Sequence, residues 1–394
     1  MPAERCGASE VIVIGGGVMG AATACFLARD HGLRVTVLEP DPTYRQASSA
    51  LSASSIRQQF STPINIALSQ ASLAFLRNVG SELAVDGEAP HIGLVERGYL
   101  YLATAAGADT LAANHAVQRA CGAPVALLDP PALSQRFPWL AVDDVVSGSL
   151  GLHGEGWFDG PALLQAFVRK ARALGVCFVA ARAVGFERRA AQVTAVRDAS
   201  GARHSADAFV LAAGAWSAPL ALALGVALPV RARKRDVFVF SSPAALPDCP
   251  LVIDPSGLWI RPEGTMFLCG APPRGDDADD LPLDAIDHGL FDEVLWPALA
   301  RRVPAFEALR LQRAWAGYYE MNIVDHNGLA GPLPGCDNAF TACGFSGHGM
   351  QQAPAVGRAL AELIATGRYR SLDLSPLSPA RLLTGALLRE QNVI

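Results

Sequence analysis

Two glycine-rich stretches and a few arginines, tyrosines and amides carry whatever chemistry this sequence can do. The first stretch, Gly15-Gly16-Gly17-Val18-Met19-Gly20, satisfies G-x-G-x-x-G. It follows the wholly apolar VIVI (11–14) and opens AATACFLARDHG; beyond that, RVTVLE ends in Glu39. This pattern binds a dinucleotide. Gly15 makes the tight turn, Gly17 lets backbone approach a pyrophosphate, and Gly20 packs helix against strand. The helix start, with Val18 and Met19, offers unpaired N–H groups and the positive end of a dipole. Glu39, about 20 residues further on, accepts hydrogen bonds from a ribose diol and repels a 2′-phosphate. The spacing alone does not choose between NAD and FAD. The second stretch, GFSGHGMQQAPAVG (344–357), brings four glycines, Ser346 and His348 to the start of another helix.

The positioning elements follow from pattern. Residues 11–39 read as one βαβ unit with Gly32 as C-cap, its first strand buried on both faces. FVLAAGAWS (209–217) is a second buried strand with a small-residue exit. GWFDGPALLQAFVRKARALGVCFV (156–179) reads as helix then strand, its apolar side set by Leu163, Leu164, Phe167, Val168 and Leu174. LVERGYLYLAT, DVFVFSS, LVIDPSGLWIRPEG and TMFLCG are short strand-like runs separated by Pro/Gly turns. The helix after the second glycine stretch buries Val356, Leu360, Leu363 and Ile364, with Pro354 expected in its first turn.

A chain of 394 residues is long for one core, so two domains are expected. No apolar run is long and uncharged enough to span a bilayer. The N-terminal MPAERCGASE lacks the basic start and apolar stretch of a secretion signal. Eight cysteines without a CxxC pair suit neither zinc nor a disulfide framework and point to the reducing cytoplasm. Net charge is −5, which argues against nucleic acid. The one basic run, RARKR (231–235), reads as the solvated start of a strand or as a docking patch, and APPRGDDADDLPLD (271–284) as a surface loop.

GGGVMG with Glu39, LAAGAWS and GFSGHGMQQAPAVGRALAELI together resemble the D-amino-acid oxidase/sarcosine oxidase family of FAD enzymes. SSIRQQFSTPINIALSQASLAFLR (54–77) and AWAGYYEMNIVDHNGLAGPLPG (314–335) resemble its branch of FAD-dependent oxidoreductase domain-containing proteins and their bacterial relatives. The likeness covers essentially the whole chain, with the motifs in order. It implies an α/β fold: a discontinuous Rossmann-like FAD-binding domain (1–88, 146–226 and 325–394) and a substrate domain (89–145 and 227–324) with a mixed, largely antiparallel β-sheet. It further implies that FAD lies against Gly15, Gly17, Val18, Met19, Gly20, Glu39, Ser49, Ser55, Val184, Ala213, Gly214, Trp216 and Gly317. In the second glycine stretch the implied contacts are Gly344, Phe345, Ser346, Gly347, His348, Gly349 and Met350.

The resemblance also assigns the substrate side. Arg57 matches an arginine that binds the substrate carboxylate, which a planar guanidinium grips with two parallel bonds. Arg261 is a second carboxylate candidate, with Trp259 two residues earlier as a wall. Tyr319 matches a tyrosine lining the substrate site, and Gln351 stands where sarcosine oxidases have a carboxylate-binding lysine. Gly317 replaces the cysteine that tethers flavin in those oxidases, so FAD is expected to be non-covalent. Leu268 is the approximate match for a lysine that speeds reaction with oxygen, which favours a dehydrogenase over an oxidase. His348 is read as structural or as a flavin contact. The implied activity is oxidation of the C–N bond of an amino acid or N-alkyl amino acid by hydride transfer to flavin. The implied acceptor is O2, a quinone or an electron-transfer protein. Two other readings remain open: oxidation of a 2-hydroxy acid, and a flavin-bearing assembly factor for a respiratory complex.

Overall fold

The computed structural model describes residues 9–391, so Cys6 and most of the N-terminal stretch read for a secretion signal lie outside the described residues. A six-stranded sheet runs in the order Leu329–Pro332, Ala339–Cys343, Ala208–Leu211, Glu10–Ile14, Arg34–Glu39, Cys177–Ala180. All its neighbours are parallel except the first pair. Val11 to Ile14 are buried on both faces, as the unbroken apolar run predicts.

Three helices cover one face. Val18–His31 ends at Gly32 in the left-handed conformation (φ 64°), whose N–H caps the Ala28 carbonyl. Gly160–Ala173 starts on Asp159, whose carboxylate accepts from Ala162 N–H at 2.8 Å. Leu163, Leu164, Phe167 and Val168 are buried there, but Leu174 is 39% exposed because it falls at the helix end, beyond the apolar stripe. Gly349–Thr366 crosses the first helix so closely that a Cβ on Gly357 would lie 2.9 Å from the Ala22 Cβ. Val356, Leu360 and Ile364 are buried, with Leu363 packed at the margin. Pro354 falls past the first turn of this helix, not within it. Residue 354 therefore cannot donate to the Met350 carbonyl.

The second layer is an eight-stranded mixed sheet in the order Arg310–Asn322, Val230–Ser241, Met266–Gly270, Trp259–Glu263, Leu251–Ile253, Tyr99–Ala103, Ser147–Gly151, Val125–Leu128. Only Leu251–Ile253 with Tyr99–Ala103 pairs in parallel. Ser147–Gly151 bonds to Tyr99–Ala103 and Val125–Leu128, so the expected boundary at 146 precedes a strand of the second sheet.

The two compositional outliers meet. RARKR forms the start of the strand Val230–Ser241, as read, but is half-buried and not solvated, because the acidic stretch folds onto it. Arg235 pairs with Asp277 and Arg233 with Asp279. Asp280 N–H donates to the Ala232 carbonyl, and Tyr318 Oη donates to the Leu281 carbonyl. Charge matching across an edge fixes this loop where hydropathy alone reads it as loose surface.

Candidate active site

The first glycine stretch is built by exclusion of side chains. Gly15 has φ 98° and donates to the Leu38 carbonyl, and a Cβ there would stand 2.4 Å from the Ala212 oxygen. A Cβ on Gly20 would lie 1.9 Å from the Gly15 oxygen, so the helix can begin this close to the strand only as glycine. Val18 N–H donates to Ser49 Oγ at 3.2 Å, tying the helix start to the Ser/Ala-rich loop. Glu39 is oriented by Gly16 N–H at 2.8 Å and Asp41 N–H at 2.9 Å. Burial raises its pKa, and the two backbone donors oppose that rise.

These residues line a cavity of about 540 Å³: Gly15, Gly17, Val18, Met19, Glu39 and Ser49. Ser55, Val184, Ala213, Gly214, Trp216, Gly317, Tyr319, Gly349, Met350 and Gln351 line it as well. Gly20, Gly344, Phe345, Ser346 and His348 do not line it. Gly20 acts through helix packing. Gly344 (φ 71°) serves the turn, and the Phe345 ring fills the space left by Gly328. Ser346 Oγ accepts from Asn322 N–H.

A second cavity of about 50 Å³ is lined by Arg57, Ser346 and His348, and it shares Ser55, Trp259, Tyr319, Gly347 and Gln351 with the first. Arg57 is 2% exposed. Its guanidinium donates to the Gln59 carbonyl at 2.6 Å, contacts His348 Nε2 at 3.0 Å, and lies 4.1 Å over the Phe60 ring. Gln351 Oε1 accepts from Arg57 N–H at 2.9 Å and from Ser69 Oγ at 3.3 Å, and the residue lines both cavities. Burial raises the Tyr319 pKa, while Arg235 and Arg57 lower it from either side. Gly347 (φ 90°) leaves room for that ring, since a Cβ there would lie 2.5 Å from it.

Arg57, Trp259, Tyr319 and Gln351 are thus brought together, and Arg261 is not. Arg261 donates to the Ala53 carbonyl at 2.8 Å, pairs with Glu263 and lies 5.4 Å over Trp157. It lines neither cavity. Those partners use it as a brace for the loop, so it is withdrawn as a carboxylate ligand. Leu268 is also absent from the cavity walls and packs with Val237, Val239 and Trp315.

Three residues escaped the sequence reading. Arg235 pairs in register with Gly317 and lines the large cavity, its Cζ 5.3 Å from the Tyr319 ring centre. A period of two counted back from VFVF would have put it on the inner face. Glu155, between two glycines, is fully buried and accepts from Gln58 N–H, Gln59 N–H and Gln59 Nε2. Burial raises its pKa to about 7. It fixes the segment whose Gln59 carbonyl holds Arg57. Glu320, in YYEMN, lines the large cavity, and burial raises its pKa to about 7 as well.

FAD fits this architecture. Gly15–Gly17 and Val18 would take the pyrophosphate and Glu39 the ribose. Ala213, Gly214, Gly317 and Gly349 contribute little or no side chain to the wall, which leaves room for a flat ring system. No cysteine is among the described residues lining the cavity.

Comparison with known proteins agrees. The family profile described as FAD dependent oxidoreductase (DAO) matches residues 10–363. The FAD-dependent oxidoreductase domain-containing protein 1 of Xenopus laevis is 41% identical, covering 100% of this chain and 86% of that protein. The structure of L-proline dehydrogenase from P. horikoshii superposes with a TM-score of 0.85 at 26% identity, covering 96% of this chain and 99% of that one. Glycine oxidase from Geobacillus kaustophilus superposes with a TM-score of 0.82 at 25% identity, covering 95% and 98%.

Proposed function

Because the chain belongs to the DAO family of FAD-dependent oxidoreductases, we propose that it oxidises the C–N bond of an amino acid or N-alkyl amino acid whose carboxylate is held by Arg57. The observation that carries this reading is the shared wall. Arg57 sits in the small cavity, and Trp259, Tyr319 and Gln351 belong to both cavities. A carboxylate at Arg57 therefore directs the rest of a small substrate past Tyr319 into the large cavity. FAD, which Gly15–Val18 and Glu39 would hold, would supply an acceptor for the hydride on the carbon next to nitrogen; the imine left on the substrate would be hydrolysed by water.

The protein's own contribution is orientation and charge. Arg57 supplies charge-assisted bonds worth about 1.5–3 kcal/mol each. Gln351 adds an amide donor without charge, and Glu155 holds the backbone around Arg57. Trp259 and Tyr319 exclude water from the substrate carbon. A neutral amine needs no strong base here, because the hydrogen leaves with its electrons. Glycine oxidase and L-proline dehydrogenase, both named for amino-acid substrates, support the class of reaction.

The test is an anaerobic screen of flavin bleaching over D-, L- and N-alkyl amino acids, with 2-hydroxy acids beside them. Bleaching by at least one amine, lost in Arg57→Ala, is expected. Bleaching by hydroxy acids alone, or by no carboxylate, would overturn the reading.

A further inference from the structure

We propose that Glu320 is a proton-carrying partner of the bound flavin, donating a hydrogen bond from its neutral carboxyl group into the large cavity and losing or regaining that proton as the flavin changes redox state. FAD is the family's cofactor; this assignment concerns the wall that meets it.

The geometry places one carboxyl oxygen on the protein and one on the cavity. Glu320 lies on the strand Arg310–Asn322, and its backbone is pinned where its carbonyl accepts Ser346 N–H at 3.1 Å. Oε1 accepts Phe345 N–H at 3.4 Å and lies 3.3 Å from where a Cβ on Gly349 would stand. Oε2 lies 3.7 Å from the equivalent point on Gly214. Gly214, Gly349 and Glu320 all line the cavity. The carboxyl group thus lies between two walls, with Gly349 beside Oε1 and Gly214 beside Oε2, and neither carries a side chain that would cover it.

The cations near this carboxylate are committed to other acids. Among the described residues, no Lys, Arg or His forms an ion pair with Glu320. The strand Val230–Ser241 alongside carries Arg231, Arg233, Lys234 and Arg235, which pair with Asp279, Asp236 and Asp277; the other elements packed against Glu320 contribute neutral groups. The turn brings the Gly344 and Phe345 N–H groups, and the helix Gly349–Thr366 brings Gly349. The Gly214–Trp216 turn brings Gly214, and the strand Ala339–Cys343 brings the Cys343 thiol, which burial pushes up to about 12 and so keeps neutral. Burying an unpaired carboxylate is costly, and a flavin held in the cavity would reduce its access to water further. The group then prefers its proton, consistent with its raised pKa. A carboxylic acid can donate to a ring carbonyl or nitrogen; a carboxylate can only accept and would repel the charge that reduction adds.

Proton and electron counts follow. Hydride transfer adds two electrons and one proton to the flavin. Where Glu320 is ionised beforehand, reduction draws one further proton from solvent onto its carboxylate. The potential therefore falls more steeply with pH between the Glu320 transition of the oxidised protein and that of the reduced protein than below that window.

The test uses the FAD-loaded protein, first by visible absorption of the oxidised flavin from about pH 5.5 to about pH 8.5. The second readout is the midpoint potential against a reference dye over the same range. We expect a one-proton spectral transition near neutral pH and a matching change in the slope of the potential. Both should vanish in Glu320→Gln, which keeps an N–H donor and retains FAD. Its potential at high pH should differ from wild type by about tenfold in equilibrium constant, or about 30 mV for two electrons. A flat wild-type titration, or a Glu320→Gln protein that titrates like wild type, overturns the proposal. If the variant fails to hold FAD, the infrared difference spectrum of wild type on reduction decides. A carboxylic-acid band that shifts in D2O supports the assignment, and its absence overturns it. Neither readout uses an amine, so failure here is distinct from failure of the proposed oxidation.

Discussion

Arg57 Nη2 lies 3.0 Å from His348 Nε2, and the aromatic ring of Phe60 serves both, 4.1 Å from the guanidinium carbon and 4.9 Å centre to centre from the imidazole. A guanidinium can only donate, so His348 Nε2 is the acceptor in this contact. His348 is therefore a positioning residue for Arg57. It is not a spare base above the flavin, and its absence from the large cavity agrees.

Removing the guanidinium should abolish binding of the carboxylate without disturbing the cofactor. Two charge-assisted bonds at about 1.5–3 kcal/mol each correspond to roughly two to four decades in affinity. We expect Arg57→Lys to recover little, because an ammonium cannot present two parallel donors. Dissociation constants of an unreactive carboxylate, read with the FAD content of the same samples, check this. Loss of FAD along with carboxylate binding would show that Arg57 supports the fold instead.

Glu155 predicts a pH-dependent stability. Its pKa rises from 4.5 to about 7 on folding. A raised carboxyl pKa contributes stability that is fully present below the unfolded value and is lost as pH rises through the folded one. The advantage of wild type over Glu155→Gln should therefore be largest near pH 5 and shrink toward pH 7.5, by on the order of 3 kcal/mol in all. Urea unfolding of both proteins across that range measures the difference. A gap that widens with pH would mean Glu155 is held as a stabilised carboxylate.

The parts that were legible in the sequence are those where one residue type has one physical reason to be there. Gly15 and Gly20 were readable because a Cβ has nowhere to go, and Arg57 because an arginine among amides and apolar residues wants a specific anion. Arg261 looked equally good, since sequence shows the strand but not that Ala53 O and Glu263 surround its tip. Arg235 was hidden by its basic neighbours. Whether it faces water or cavity depends on strand parity and on Asp277, supplied by a loop 42 residues away. Glu155 and Glu320 carried no motif at all; burial of their carboxyl groups makes them notable, and that is a property of the tertiary fold.

The cofactor should leave intact when the protein is unfolded. Gly317 offers no atom for a flavin tether, and a Cβ there would already lie 3.0 Å from Leu51 Cβ. Acid precipitation should put all the yellow flavin in the supernatant, with mass spectrometry of the pellet showing the bare chain. Flavin remaining in the pellet would locate a tether elsewhere and undo the argument from Gly317.

Arg235 and Asp277 should act on the flavin in opposite directions. Their two bonds, 2.7 and 2.9 Å, form a side-by-side pair, with Arg235 on the cavity wall beside Gly317 and Asp277 on the overlying loop. A cation at that wall favours negative charge arriving on the flavin, and so favours both reduction and the subsequent reaction with oxygen. The argument for a dehydrogenase, drawn from the uncharged Leu268, loses its force once Arg235 provides that charge. Arg235→Gln should lower the flavin potential and slow reoxidation by O2 by about tenfold, on the order of 1.4 kcal/mol. Asp277→Asn should raise the potential, because it removes the anion that partly neutralises Arg235. Dye-linked potentials and stopped-flow reoxidation of the reduced proteins test the pair together. If both substitutions shift the potential the same way, the pair only fastens the loop, and the acceptor must be decided by other groups.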